Sequence, residues 1–197
     1  ADADTGDAVF PLTTHADNRL AGHAIMALMQ MQDARGIPAL RKAMTSDDAR
    51  LREEVMTRAS FLAMYTDGGA GPRITAPDAR VILQDRAEND PSSRVRLWGP
   101  GALRGVNDEA TIKTLVAMCD DEADYIRNDS LRYLLESSHP GRWDMLKRFL
   151  IDKAARCRPQ AAWHYAELYA GPEDRTDDSA DPPKIPEGAP TVAESIA

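Results

Sequence analysis

The chain has 197 residues, of which 43% are hydrophobic, 28% charged and 6% aromatic, and its formal net charge is −8. This length allows one ordinary domain with tails and leaves enough chain to bury a core. The acidic balance lacks the surplus of Lys and Arg that phosphate binding requires, and no run approaches the roughly 18 apolar residues of a membrane span, so neither nucleic acid nor a membrane span is expected.

The ends carry the charge. Residues 1–17 hold Asp2, Asp4, Asp7 and Asp17 with no base, residues 172–197 hold seven acids against Arg175 and Lys184, and the stretch 18–171 is left at +1. Residues 1–16 therefore read as an acidic N-terminal arm. The opening Ala-Asp-Ala-Asp, without Met, is what cleavage of a signal peptide leaves, so the expected location is periplasmic or extracellular, with the cytoplasm as the alternative.

Residues 17–171 read as a repeat domain. Segments with an arginine and a small or apolar residue three positions later recur at Arg19 with Gly22, Arg52 with Val55, Arg96 with Gly99, Arg127 with Ser130 and Arg158 with Ala161. The arginines are spaced 33, 44, 31 and 31. The surplus in the long interval matches an insertion at 66–78, rich in Gly and Pro and containing Arg73. A second marker runs in phase: Asp90, Asp121 and Asp152 each lie six residues before Arg96, Arg127 and Arg158. In the second unit Asp47 and Asp48 precede Arg52 by five and four, which leaves its register in doubt.

Each unit predicts two helices. The first is short and amphipathic, over 37–44, 79–87, 110–119 and 143–151; Ile112, Leu115, Val116 and Cys119 follow i, i+3, i+4, i+7. Pro38 and Pro77 fall near helix starts, where the missing N–H costs nothing. The second helix carries the arginine. Asp-rich turns such as 119–122 can cap the next helix, for about 1 kcal/mol each. In the third unit Gly99-Pro100-Gly101 predicts a kink or break, because proline removes a helix hydrogen bond and clashes with the preceding turn. No unit can bury its apolar stripe alone, but stacked units can; the expected fold is an all-α solenoid of about five helix pairs. Beyond it, residues 172–197 contain Pro172, Pro182, Pro183, Pro186 and Pro190 and no aromatic residue, an extended acidic tail suited to lying along a neighbour.

The Asp-x5-Arg spacing, the 31-residue period and the paired short helices resemble HEAT repeats, specifically the short HEAT-like repeats of the phycobilisome lyase type. The resemblance covers about residues 17–171. It implies that the inner-helix arginines and turn aspartates, here Arg96, Arg127 and Arg158 with Asp90, Asp121 and Asp152, form a structural ladder between adjacent repeats. That family includes scaffolds, chromophore lyases and DNA glycosylases.

Catalytic and cofactor chemistry find little support. His15, His23, His139 and His164 are scattered without carboxylates at ligand spacing, so no metal is expected. Cys119 and Cys157 occupy apolar positions of the repeat and read as core thiols, with a disulfide left open. The Gly68–Gly71 loop lacks the Gly-Lys-Ser/Thr ending of a phosphate loop. No catalytic residue and no cofactor are assigned. Trp98 and Trp163 fall off the packing stripe, and Arg132 takes the position in the fourth unit that Trp163 takes in the fifth. These three on the concave face, with Arg73 in the loop and the C-terminal tail, are the expected protein-binding residues. The resulting expectation is a non-catalytic interaction scaffold, an accessory subunit of an exported assembly. The alternative is a lyase-like protein handling a chromophore or small molecule on the concave face, through His164, Cys157 or Asp129.

Overall fold

A computed structural model describes residues 3–64 and 76–169. The loop position of Arg73 and the segment 170–197 lie outside the described residues. Among the described residues every regular element is a helix: α1 (Ala3–Val9), a 3-10 segment (Phe10–Thr14), α2 (Asn18–Gln30), α3 (Gly36–Met44), α4 (Ala49–Met64), α5 (Pro77–Asn89), α6 (Ser93–Leu97), α7 (Gly99–Ala102), α8 (Glu109–Met118), α9 (Asp124–Glu136), α10 (Arg142–Leu150) and α11 (Cys157–Tyr169).

Local chemistry sets these boundaries. Asp17 caps α2 by accepting from the Arg19 and Leu20 backbone N–H groups at 2.9 and 3.4 Å, and Asp108 caps α8 by accepting from Thr111 N–H at 2.8 Å. Pro77 opens α5, where its ring pre-sets the helical φ. The expected break in the third unit falls at Trp98, which separates α6 from α7.

Close approach explains the glycines around Pro100. A Cβ on Gly99 would stand 2.5 Å from Ala87 Cβ and 2.9 Å from Ala87 Cα, and one on Gly101 would strike Ser60 Oγ. Small residues are what let α7 wedge between α5 and α4.

Helices of one kind touch in succession. Helix α2 packs on α4, α4 on α6 and α7, these on α9, and α9 on α11; α3 packs on α5, and α5 on α8. Buried side chains between the rows form two clusters. Ile25, Leu40, Met44, Met56, Leu83, Val95 and Ile126 belong to the first, and Leu115, Leu131, Leu134, Trp143, Phe149 and Cys157 to the second. Helix α9 supplies both, with Ile126 facing one way and Leu131 and Leu134 the other.

The stretch expected as an acidic arm is helical from Ala3 to Thr14. Its acid does not repel it from the body, because Asp7 accepts from Arg35 Nη1 at 2.7 Å and the Arg35 guanidinium lies 5.1 Å over the Phe10 ring. No described helix is long and apolar enough to cross a membrane.

Candidate functional site

Three arginines share one posture. Arg96 donates from Nη1 to the carbonyl of Asp90, six residues back, at 2.8 Å, and from Nε and Nη2 to both carboxylate oxygens of Asp121 at 2.7 and 3.2 Å. Arg127 repeats this on the Asp121 carbonyl (2.9 Å) and the Asp152 carboxylate (3.3 and 2.8 Å). Each arginine thus braces its own turn with one nitrogen and grips the following turn with the other two. The fork is bidentate and charge-assisted, the stronger kind of hydrogen bond.

The acceptor aspartates are held in turn. Asp90 accepts from Ser92 N–H at 2.9 Å, Asp121 from Ala123 at 2.8 Å and Asp152 from Ala154 at 2.7 Å. Each carboxylate therefore fixes the start of the next helix while it receives the arginine.

The doubtful second unit has the same posture through a different residue. Arg52 donates from Nη1 to the Ser46 carbonyl at 2.6 Å and from Nε and Nη2 to Asp90 at 2.7 and 3.0 Å. Ser46 stands where the other units have aspartate, and its hydroxyl accepts from Asp48 N–H at 3.2 Å. A hydroxyl can make that turn, but it cannot receive a guanidinium fork. Arg19, the first arginine of the series, is accordingly exposed, and Asn18 instead donates to Asp48 at 2.8 Å.

These pairs lie inside the molecule, with Arg52, Arg96 and Arg127 exposed by 6%, 8% and 4% and Asp90 by 1%. Hydrogen bonding to the facing aspartate raises all three arginines further above their ordinary value. The bond from Arg127 holds Asp152 below the ordinary carboxylate range. Arg35, through its side chain and then its backbone, brings Asp33 to about 2.

Both aspartates bind protons more weakly folded than unfolded. Their stabilisation is complete above the ordinary carboxylate pKa and is lost as pH falls through the lowered values. The thermal midpoint is expected to stay level from about pH 7 to pH 5 and to fall steeply from about pH 4 to pH 2. Circular-dichroism melts across that range check this, and a midpoint unchanged at the acid end contradicts it.

The residues expected to meet a partner do not behave alike. Trp163 is 52% exposed, stands edge-on to His164 with ring centroids 4.9 Å apart, and presents its ring to solvent. Arg132 is also exposed, its guanidinium 4.4 Å over the Tyr133 ring and its Nη2 donating to Tyr133 Oη at 2.7 Å. Trp98 departs from expectation: it is half-buried against the first core cluster, 5.8 Å from the Phe61 ring. Three residues after the buried Val95, the ring lies on the same side of the helix as that core residue.

Around Trp163 and Arg132 lie groups that the spacing argument undervalued. Burial pushes the Asp129 carboxyl up, while burial and then the Arg132 charge push His164 down. His164 Nε2 is buried without a hydrogen-bond partner. Arg132 and Asp129 approach to 3.7 Å. Arg58 over Phe61 (5.6 Å) and Arg104 over Tyr133 (5.8 Å) add two further cation–aromatic pairs on the arginine-bearing helices and the turn after α7.

Cys119 and Cys157 are free and buried, the first pushed up to about 12 by burial and the second also raised. Thiols so protonated are poor nucleophiles. A depression of about 530 Å³ lies elsewhere, between α5 and α8, lined by Pro77, Arg80, Val81, Gln84, Asp108 and Lys113. Among the described residues no group of three or more His, Cys, Asp or Glu is arranged to hold a metal ion.

No family model matches the chain, and no curated protein does. Among solved structures it is similar to the crystal structure of an engineered protein from the Northeast Structural Genomics Consortium, at 18% identity and a TM-score of 0.53, over 86% of this chain and 81% of that one. At that identity the likeness speaks for the arrangement of helices alone.

Proposed function

We propose that the chain is a solenoid of HEAT-like helix pairs that works as a non-catalytic interaction scaffold, an accessory subunit of an exported assembly. The observation that carries this reading is the contrast between two sets of arginines. Arg52, Arg96 and Arg127 are consumed inside by aspartates of the neighbouring turn, whereas Arg132 and the Trp163 ring are left in solvent on helices of the same row. Stacked pairs of this kind expose one continuous face, and exposed Trp and Arg are the residue types that dominate protein interfaces. The acidic segment 172–197 is a second surface for the partner.

Affinity isolation from the source cells, with the wild type and Trp163→Ala in parallel, tests the reading. A stoichiometric partner is expected, bound by Trp163→Ala at least roughly thirtyfold more weakly, the effect of losing an interface anchor. A chain that stays alone, or a partner indifferent to both Trp163→Ala and Arg132→Ala, overturns it.

His164 supports a second reading, a lyase-like role on a small molecule at the same face, because its buried Nε2 has no partner of its own. That role requires saturable quenching of Trp163 fluorescence by the compound, lost in His164→Phe.

A further inference from the structure

The ladder ends at Arg158, which donates from Nη1 to the Asp152 and Lys153 carbonyls at 2.8 and 3.3 Å and is exposed. A different exposed cation, Arg132 on α9, stands beside an exposed ring. Tyr133 holds it in place: the guanidinium lies 4.4 Å over the Tyr133 ring and Nη2 donates to Tyr133 Oη at 2.7 Å. Its Nε and Nη1 meet no acceptor within hydrogen-bond distance among the described residues, and Asp129 approaches Nη2 only to 3.7 Å. Nη2 carries a second hydrogen, which makes a two-hydrogen fork with that of Nε or of Nη1. A guanidinium oriented in this way is suited to planar, bidentate recognition of a carboxylate.

Trp163 is the other half of the site. The 31-residue spacing puts it at the position of Arg132 on the next helix of the row, α11 packs against α9, and helices so packed lie about 8–10 Å apart. The Arg132 charge acts on His164, whose ring meets the Trp163 ring at 4.9 Å. Guanidinium and indole thus open side by side, and the indole N–H also meets no acceptor among the described residues.

We propose that Arg132 and Trp163 capture the C-terminal residue of a partner chain, its carboxylate on the Arg132 fork and its apolar side chain on the Trp163 ring; this rests on the scaffold reading. Charge selects one carboxylate over a polyanion. The cations of the aromatic pairs each have an acid at hand, Glu54 3.5 Å from Arg58, Glu136 3.1 Å from Arg104 and Asp129 3.7 Å from Arg132. A row of phosphates would meet all three acids. A chain terminus serves guanidinium and ring from a single Cα, whereas an internal Asp or Glu needs a second residue to reach the ring. Terminal carboxylates are a recurrent handle in peptide recognition.

Titration of the full chain with acetyl-Gly-Ser-Gly-Phe and with its C-terminal amide tests this, read by NMR at the Arg132 Nε–Hε and Trp163 Nε1–Hε1 resonances. The acid is expected to shift both saturably and the amide to bind about tenfold more weakly, the scale of a lost hydrogen bond to a charged group. Arg132→Lys, which keeps the charge without the fork, should weaken the acid. Asp129→Asn, which removes the competing carboxylate, should strengthen it about two- to fivefold. Acid and amide binding alike, or an acid that moves neither resonance, overturns the proposal. So does acetyl-Gly-Phe-Asp-Gly-amide binding as tightly as the acid, which assigns the fork to an internal aspartate, and so does tighter binding of phenylacetate, which assigns it to a free small acid. A cellular partner that is lost with Trp163→Ala but tolerates a glycine-serine extension of its own C-terminus overturns the proposal and leaves the scaffold reading intact.

Discussion

Arg52→Met is expected to cost about 3–5 kcal/mol, because it strands the Asp90 carboxylate in a place that water does not reach. Asp90 is 1% exposed, its fork from Arg52 supplies bonds at 2.7 and 3.0 Å, and the next cation, Arg86, stands off at 4.0 Å. Ser92 N–H continues to donate but carries no charge to replace the one removed. For a chain of this size each kcal/mol moves the midpoint by about 2–4 °C, so the melt should fall by about 6–20 °C. The double variant Arg52→Met with Asp90→Leu is expected to recover much of the loss, since a buried pair replaced by apolar groups is often neutral. Urea unfolding of the three proteins checks both. A single variant within about 1 kcal/mol of wild type contradicts the burial of this pair.

The second large effect has a sign opposite to helix propensity. Neither Gly99 nor Gly101 has the positive φ that would exclude a side chain. In an exposed helix Gly→Ala would then stabilise by about 0.5–1 kcal/mol. At Gly99 the new methyl meets the Cα and Cβ of Ala87 on α5 and Met118 Cε at 3.1 Å, and backbone atoms cannot rotate away. Gly99→Ala is therefore expected to destabilise by about 1–3 kcal/mol through overpacking. At Gly101 the obstacle is the Ser60 hydroxyl, the end of a side chain, so Gly101→Ala should cost less, and Ser60→Ala should relieve part of it. Equal losses at the two glycines would mean that the clash with α5 does not decide the matter.

How far the sequence could be read follows from which interactions are written locally. The helices beginning at Pro77 and Glu109 lie within two residues of their periodicity, because an apolar stripe and a capping carboxylate are both local signals. The Arg–Asp register was legible because one chemical pair recurs at one spacing. Ser46 was invisible to that search, since a hydroxyl does half of an aspartate's work and a search for carboxylates passes over it. Trp98 stands three residues after the buried Val95 and so shares its face, a position the register count set off the stripe. The N-terminal acids read as an acidic arm when counted by composition. Asp7 finds Arg35 from 28 residues away, which no local window contains. At the exposed face, Trp163 and Arg132 could be placed by register, whereas the burial of Asp129 and His164 beside them depends on how α9 and α11 meet.

One comparison between rungs reaches beyond stability. The bond from Arg52 to Asp90 closes over 38 residues and the bond from Arg96 to Asp121 over 25, yet both measure 2.7 Å from Nε to Oδ2. The molecule gauges its spacing through space and is indifferent to the length of covalent thread between α4 and α5. Loop-closure entropy grows only logarithmically, by about 0.6 kcal/mol per doubling, so that junction is a natural port for grafted sequence. An epitope, a binding peptide or a small domain could be spliced there while the alignment of the helices on either side is preserved.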